Sequence, residues 1–418
     1  MKSLTATFRI VTPMFIAGAD QSKAELRGPS IKGALRFWWR ALQWGKVRDV
    51  AELRRKEAEL FGSSNGGQSK VLLRLRSFPN PRPIEGGSIL NPTGTGTGDR
   101  KSRVGEGARY LGYGVMEAFD SKKSGKSGGQ LTRPCLPSGT IFELVLSAKE
   151  ESHLHEIREA LIAFGLFGGL GSKARKGYGS VSLINLADDT HSKWEAPKTF
   201  EELSEAIKPF VGRNSHHDLP EWTAFGGEDA QILLLQGNER EQALPLLSRI
   251  GDDQVFYRSW GRGGKITRNG RDIDSEKRFE IDHDLMKVRA NDRRKHPERI
   301  AFGLPHNYGK PNDLHVEPAG DLDRRASPLF IHIHQPSEEA TPIAVLSFLP
   351  ARFLPEGANG SRPRISVGGQ VVDCAPEAEL WKPIQDWLQS LHSGKREDGI
   401  ETRQAFARAG VLSPNATR

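Results

Sequence analysis

Residues 27–42 read RGPSIKGALRFWWRAL, and their apolar side chains recur with the period of an α-helix. At about 100° of rotation per residue, four of these side chains fall within one narrow arc: Ile31, Leu35, Trp38 and Leu42. Ser30 precedes this stripe, at a position where serine commonly caps a helix. The stretch therefore predicts an amphipathic helix running to about Leu42, with one face packed against a core.

The segments around this helix alternate between strand and helix patterns. LTATFRIV, residues 4–11, alternates apolar and polar residues as a half-buried strand does. Further strand patterns occupy 70–78, 140–148 and 177–186, and further helix patterns occupy 49–62 and 153–169. Two long basic Gly/Pro-rich stretches, 79–108 and 120–133, interrupt them, and loops of that length are usually functional or disordered. Residues 1–190 are therefore predicted to form an α+β domain.

The remainder of the chain divides into a linker region and a second domain. Residues 191–223 are polar and irregular apart from one short helix pattern at 199–207. Residues 224–418 carry strand patterns at 230–236, 329–334 and 343–349, and helix patterns at 240–250, 282–292 and 379–392. The polar tail after His392 is expected to be poorly ordered. The predicted fold class is α+β, with two domains.

The charge and cysteine content restrict the class of protein. The 418 residues include 60 Lys and Arg against 52 Asp and Glu, a net charge of +8, which favours a polyanionic partner. Cys135 and Cys374 stand far apart without metal-ligand spacing, so neither a disulfide framework nor a cysteine zinc site is expected. The N-terminus lacks a signal-peptide core, and no apolar run reaches the ~18 residues of a membrane span. We therefore expect a soluble cytoplasmic protein without membrane contact.

A stripe of cations lies on the flank of the first helix. It consists of three residues at helical spacing, called here the basic stripe: Lys32, Arg36 and Arg40. Lys32 sits in the first turn, where a cation opposes the helix dipole, and no acidic residue occurs from 26 to 48. Trp39 lies between the stripe and the apolar face. With Arg27 and the helix N-terminus, the stripe predicts a phosphate-binding surface; a merely solvated face is the alternative.

Residues 168–181, GGLGSKARKGYGSV, form a second informative stretch, called here the glycine-rich loop. Two Gly-X-Gly motifs, one formed by Gly169 and Gly171 and the other by Gly177 and Gly179, flank five residues. Three of these five are cations: Lys173, Arg175 and Lys176. A dinucleotide fingerprint is excluded because a helix precedes this loop and a strand follows it, the reverse of the required order. The glycines would let the backbone approach a polyanion, which the cations would neutralise. A tight connector with surface lysines is the alternative.

These stretches resemble a known family. The glycine-rich loop, at the end of the first α+β unit, is similar to that of the RAMP superfamily of CRISPR proteins. TPMFIAGAD (12–20), the helix stretch 27–42, LFGSS (60–64) and RRASPLFIHI (324–333) look like the first-numbered, largest RAMP subunit of type III-B (Cmr) effector complexes. The similarity reaches both halves of the chain.

The resemblance implies a fold, a role and partners. It implies two ferredoxin-like, RRM-related RAMP domains and a non-catalytic, RNA-binding subunit at the head of an antiviral ribonucleoprotein. The partners would be guide (CRISPR) RNA, single-stranded target RNA and the other RAMP subunits of the complex. Composition and spacing indicate only a basic α+β protein with two candidate phosphate sites.

Recognition of the RNA backbone is expected, because the sequence lacks the aromatic signature with which an ordinary RRM stacks bases. The residues expected to bind RNA are Arg27, Lys32, Arg36, Trp39, Arg40, Lys173, Arg175, Lys176, Tyr178, Arg258, Arg262 and Lys265. The last three lie in YRSWGRGGKITRNGR (257–271), for which a solvated loop is the alternative. Trp39, Tyr178 and Trp260 are possible stacking partners for a base, although packing inside the protein is favoured for each.

An enzyme is the rival class, although no catalytic residue, metal site or cofactor is predicted. His332 and His334 share one face of a strand, but no third ligand is near in sequence, so structural histidines are favoured. GTGTGDRKS (94–102) lacks the ending of a P-loop, and NSHHDL (214–219) is expected to be solvated. Asp20 supports the alternative function, a metal-independent or metal-dependent RAMP endoribonuclease acting on CRISPR or target RNA. A scaffold that contacts only protein would leave the cations without a role.

Overall fold

The computed structural model describes most of the chain. The described residues are 1–64, 67–78, 81–92, 103–117, 125, 127–188, 193–211, 219–220, 222–226, 229–260, 264–268, 271–279, 282, 296–308, 314–355 and 362–414. Three segments discussed above lie outside them: residues 283–292 of the helix pattern 282–292, GTGTGDRKS (94–102), and residues 214–218 of NSHHDL. Helices and strands alternate along the described chain, so the α+β class is confirmed. Among the described helices, none is both long and apolar enough to cross a membrane.

The first unit is built on a five-stranded antiparallel sheet. Its strands are β1 (Lys2–Ile10), β2 (Val71–Phe78), β3 (Ile141–Ala148), β4 (Val181–Asp188) and β5 (Lys193–Glu195). They lie in the order β2-β3-β1-β4-β5, so the first strand of the chain is central. Phe8 of β1 lies opposite Phe142 of β3 and Leu183 of β4, and all three side chains are buried. The alternation in residues 4–11 therefore directs every second side chain into a core.

Four helices accompany this sheet: α1 (Gly28–Gln43), α2 (Val50–Phe61), α3 (Glu106–Leu111) and α4 (Glu151–Phe167). The predicted apolar stripe of α1 is confirmed, since Ile31, Leu35, Trp38 and Leu42 are at most 3% exposed. The predicted start is wrong, because the N-cap is Arg27 and not Ser30. Pro29 in the first turn explains the earlier start, since its fixed φ suits a helix and it has no N–H to leave unbonded.

The second unit repeats the connectivity of the first. After α5 (Phe200–Ile207), its main sheet and covering helices are, in chain order, β6 (Gln231–Gln236), α6 (Ala243–Arg258), β11 (Leu329–His334), β12 (Ile343–Phe348), α7 (Glu377–Ser393) and β15 (Arg408–Leu412). The sheet order is β11-β12-β6-β15. In both units the second and third strands of a β-α-β-β-α-β series therefore lie on one side of the first strand, and the fourth lies on the other.

Smaller strands are inserted into this second unit. They are a hairpin of β7 (Lys265–Arg268) and β8 (Arg271–Asp274), and a sheet of β9 (His306–Tyr308), β10 (Leu314–Pro318), β13 (Arg364–Val367) and β14 (Gln370–Asp373). The expectation of a poorly ordered tail after His392 is wrong for β15, which pairs with β6 along its length. β15 pairs with backbone groups of β6 that would otherwise form an open edge, and Ala409 and Val411 pack on the second core.

The second sheet is covered on both faces. Phe330 of β11 packs into the core that contains α1 and α4, whereas its neighbours Leu329 and Ile331 pack into the core that contains α6 and α7. The rings of Phe330 and Trp38 lie 5.6 Å apart between centroids. The layers are thus the first sheet, α1 with α4, the second sheet, and α6 with α7. Because both faces are covered, β11 and β12 are buried at every residue.

Candidate nucleic-acid interface

The basic stripe of α1 faces α2, and its two arginines are paired there. Arg36 Nε and Arg40 Nη1 both donate to Glu57 Oε1, each over 2.7 Å. The Glu57 side chain is 7% exposed, whereas those of Arg36 and Arg40 are 38% and 34% exposed. The absence of acidic residues from 26 to 48 therefore does not leave the stripe unpaired. The local sequence holds no acid, but the chain turns after α1 and α2 brings Glu57 beside it.

One carboxylate serves two guanidinium groups, so the stripe keeps a net positive charge. Lys32 has no ionic or hydrogen-bonded partner among the described residues, and partial burial, followed by the charge of Arg36, lowers its pKa. Arg27 makes no side-chain cap, and the first turn of α1 carries no acidic residue. Arg27 and Lys32 lie near the N-terminus of α1, an arrangement that favours phosphate, and Arg36 and Arg40 extend this half-exposed cationic surface towards the last turn.

Two aromatic residues considered as stacking partners for bases are buried. Trp39 is 0% exposed, donates from Nε1 to Glu156 Oε2 over 2.9 Å and meets the Phe61 ring edge-on. Tyr178 is 0% exposed and donates its hydroxyl to the Ala108 carbonyl over 2.7 Å. A base cannot reach either ring, so packing, the favoured alternative, is confirmed for both, and their prediction as RNA-binding residues is wrong. Trp39 lies beside the stripe on the helical wheel, but α2 and α4 cover that flank.

The glycines of the glycine-rich loop are required by contacts inside the protein. Gly171 and Gly179 have φ angles of 83° and 63°, which favour glycine. A Cβ atom on Gly171 would lie 2.4 Å from the Phe15 carbonyl oxygen, and one on Gly179 would lie 2.1 Å from the Leu170 carbonyl oxygen. The other two glycines are similarly confined: Gly169 and Gly177. Their role is internal packing, which corrects the expectation that they clear the backbone for a polyanion.

The three cations of this loop differ in their contacts. The Arg175 guanidinium lies 4.3 Å from the Phe330 ring centroid and donates from Nη1 to the Ser327 carbonyl over 2.8 Å, and burial lowers its pKa to about 10. Lys173 is half-buried, and burial lowers its pKa, with nearby arginines adding to the effect. The Lys176 ammonium is sealed from solvent and has no hydrogen-bond partner in the described chain. Arg175 therefore joins the two units, and Lys173 is the accessible cation.

The cations expected in the second unit are separated. Arg258, the last residue of α6, donates from Nη1 to the Tyr110 hydroxyl over 2.7 Å and lies 4.5 Å from the Phe302 ring centroid. Lys265 is exposed on β7, and Trp260 is half-buried. Arg262 lies outside the described residues. Arg258 belongs to the junction of the two units, whereas Lys265 belongs to a hairpin, so the three do not form one described surface.

The glycine-rich loop approaches α1 at Gly168, which lies against Trp38, and at Arg175, which lies near Phe37. The Arg175 guanidinium lies 5.4 Å from the Phe37 ring centroid. Phe37 and Arg36 are adjacent in sequence and project about 100° apart around the helix. A single groove formed by the stripe and the loop cations stays a prediction.

Asp20, the carboxylate considered for catalysis, is part of a turn. It accepts hydrogen bonds from the backbone N and the Oγ of Ser22, over 2.9 and 2.5 Å, and Lys23 Nζ lies 3.5 Å from its Oδ2. These hydrogen bonds, and then the Lys23 charge, lower its pKa. The carboxylate therefore stays ionised at neutral pH and holds the loop after β1.

His332 and His334 lie between the two units, where each is 1% exposed. His332 bonds through Nδ1 to the Gly168 carbonyl over 2.7 Å, and His334 bonds through Nε2 to the Pro197 carbonyl over 2.8 Å. Burial lowers their pKa to about 3 and about 4, so both are neutral at pH 7. Across the described ranges, no three His, Cys, Asp or Glu side chains are grouped to hold a metal ion.

The junction of the units gathers residues that the sequence patterns did not indicate. Tyr110 lies on α3 and His306 begins β9. They come near Lys176 and Arg258 because α3 packs closely on α6: a Cβ on Gly107 would lie 1.9 Å from a carbonyl oxygen of α6. No spacing rule relates these positions, so only the tertiary structure brings them together.

Comparison with known proteins relates the chain to one superfamily. Residues 7–182 match the RAMP superfamily. Two curated relatives are Cmr subunits of the CRISPR system of Pyrococcus furiosus: Cmr1-2, 26% identical over 179 residues (43% of this chain, 93% of the relative), and Cmr1-1, 26% identical over 166 residues (40% and 42%). The crystal structure of apo Cmr1 from Pyrococcus furiosus aligns with a TM-score of 0.49 at 18% identity, over 86% of this chain and 91% of that one. Residues 7–182 are therefore similar to the RAMP superfamily, and part of the chain is similar to Cmr1 subunits of a CRISPR system.

Proposed function

We propose that this protein is an RNA-binding subunit of a type III-B CRISPR effector complex, where it contacts other RAMP subunits and binds guide RNA, target RNA or both. Its relation to the Cmr subunits supports membership of the complex. The observation that carries RNA binding is the cationic surface of α1, which consists of Arg27 and the three stripe cations. Glu57 pairs there with Arg36 and Arg40, so the surface keeps a net positive charge. RNA offers the regularly spaced phosphates that such a surface favours.

The two units are proposed to be ferredoxin-like domains. Each contains a β-α-β-β-α-β series with the same strand order, β2-β3-β1-β4 in the first unit and β11-β12-β6-β15 in the second. β5 extends the first sheet beyond residue 190, so the first domain ends nearer Glu195. The connecting region then contains α5, which begins with a capping box of Thr199 and Glu202.

The proposed role is non-catalytic. Asp20, on which the alternative endoribonuclease depends, is held in a turn by Ser22 and Lys23. Its lowered pKa makes it a poor general acid at neutral pH. His332 and His334 are neutral but sealed between the units, out of reach of RNA. These positions favour binding over cleavage.

Fluorescence anisotropy with a labelled single-stranded RNA tests this function. We expect the logarithm of the binding constant to fall with the logarithm of salt concentration, with a slope of about −0.7 for each neutralised phosphate. Lys32→Gln removes an unpaired cation of the stripe and should weaken binding several-fold. Lys149→Gln is the matched control, because Lys149 is exposed and unpaired within the described chain but lies outside the stripe. Salt-independent binding, or equal losses in both variants, would contradict the proposal.

A further inference from the structure

The Lys176 ammonium is a buried charge without a compensating group. Its Nζ atom is sealed from solvent and forms no hydrogen bond within the described residues. Yet the loop that carries it is held firmly, since Ile331 N donates to the carbonyl of the preceding residue, Arg175, over 3.0 Å. A flexible lysine side chain could instead extend into water, because leaving its charge buried and unpaired costs free energy. Something other than a protein carboxylate should therefore compensate it.

The groups around this ammonium are themselves cationic. Besides burial, the charges that lower the pKa of Lys176, to about 7, are those of Arg258, Lys173 and Arg175 in decreasing order. No described acid pairs with Arg258, and its Nε atom is buried without a hydrogen-bond partner among the described residues. Mutual repulsion would disfavour this arrangement unless a negative charge were present. The local field is therefore suited to an anion.

Two further hydrogen-bond donors border the same place. The Tyr110 hydroxyl accepts from Arg258 Nη1 over 2.7 Å, which leaves its own proton available for donation. Burial, followed by the charges of Arg258, Arg299 and Lys176, lowers the pKa of His306 well below its usual value. A neutral imidazole still donates one N–H. Lys176, Arg258 and His306 are each half-buried as whole residues.

We propose that this junction binds one phosphate-type oxyanion, held by Lys176 and Arg258 with Tyr110 and His306 beside them. The donors come from four elements, the glycine-rich loop, α6, α3 and β9, so the anion ties the first unit to the second. A tetrahedral oxyanion matches a set of donors that converge from several directions. The ligand is either inorganic phosphate or a phosphate group of single-stranded RNA, and the site itself does not depend on the proposed RNA-binding function.

Thermal unfolding of the full chain tests the site. Sodium phosphate should raise the melting temperature of the wild-type protein above that in sodium chloride of equal ionic strength. The rise should be roughly 3 °C at 100 times the Kd of phosphate. Lys176→Met should abolish this difference, whereas Lys149→Gln, which alters an exposed cation outside both the junction and the stripe, should retain it. Equilibrium dialysis of the wild-type protein with radiolabelled phosphate should give one site per chain, independently of how any variant folds.

RNA anisotropy distinguishes the two sources of phosphate. If RNA supplies the group, inorganic phosphate should compete with RNA and Lys176→Met should weaken RNA binding about tenfold. If the ligand is the free ion, phosphate should stabilise the protein while Lys176→Met leaves RNA affinity unchanged. Phosphate binding without any RNA binding would support the site and contradict the proposed function. No bound phosphate in dialysis, together with no phosphate-specific stabilisation, would overturn the proposal.

Discussion

Replacing both Arg36 and Arg40 with Gln should destabilise the protein, although both lie on its surface. Each donates to the same oxygen of Glu57, whose side chain is 7% exposed. An exposed ion pair contributes about 0–1 kcal/mol, but leaving a buried charge without its partner costs about 3–5 kcal/mol. Glu57 would regain some water beside the smaller glutamines. We therefore expect the free energy of unfolding to fall by about 2–3 kcal/mol.

Urea unfolding followed by circular dichroism measures this change. Each single variant leaves one arginine on Glu57, so it should cost under about 1 kcal/mol, and the double variant should cost more than the sum of the two. Adding Glu57→Gln to the double variant should restore most of the stability, because a neutral amide is less costly to bury. A double variant as stable as the wild type, or no rescue by Glu57→Gln, would refute the reasoning.

Other variants test the core, the loop, the buried lysine and the turn. Trp38→Ala should lower the free energy of unfolding by roughly 3–5 kcal/mol because it opens a cavity beside Phe330, and a loss under about 1 kcal/mol in urea would contradict that packing. Gly179→Ala should lower the melting temperature measurably, since a Cβ would lie 2.1 Å from a carbonyl oxygen; an unchanged value would mean that the loop adjusts freely. In phosphate-free buffer, Lys176→Met should stabilise the protein by up to about 5 kcal/mol at pH 6, where the lysine is charged in both states, because each pKa unit corresponds to about 1.4 kcal/mol. Folding lowers the pKa of Lys176 from 10.5 to about 7, so wild-type stability should rise from pH 7 towards pH 10.5. The difference in stability between the variant and the wild type should therefore vanish near pH 10, and a difference that does not change with pH would argue against this. Asp20→Ala should leave the cleavage pattern of the assembled effector unchanged, and loss of a specific product would favour the endoribonuclease.

The elements that follow a simple period could be predicted from the sequence. The stripe from Ile31 to Leu42 recurs about every 3.6 residues because one face of a helix is buried, and residues 4–11 alternate because one face of a strand is buried. The cation-rich helix and loop were also visible, since residue type alone identifies charge. β15 was missed because five residues such as RAGVL acquire strand structure by pairing with β6.

What each cation contacts was decided by the tertiary structure alone. Glu57 is 17 residues from Arg40, yet it neutralises part of the stripe because two helices turn back on each other. Lys173, Arg175 and Lys176 are indistinguishable in a count of charges, but packing of the two units leaves the first partly exposed, stacks the second on Phe330 and seals the third. Local sequence records which residues are apolar or charged. Burial and pairing depend on residues that are distant in sequence, which the sequence pattern does not reveal.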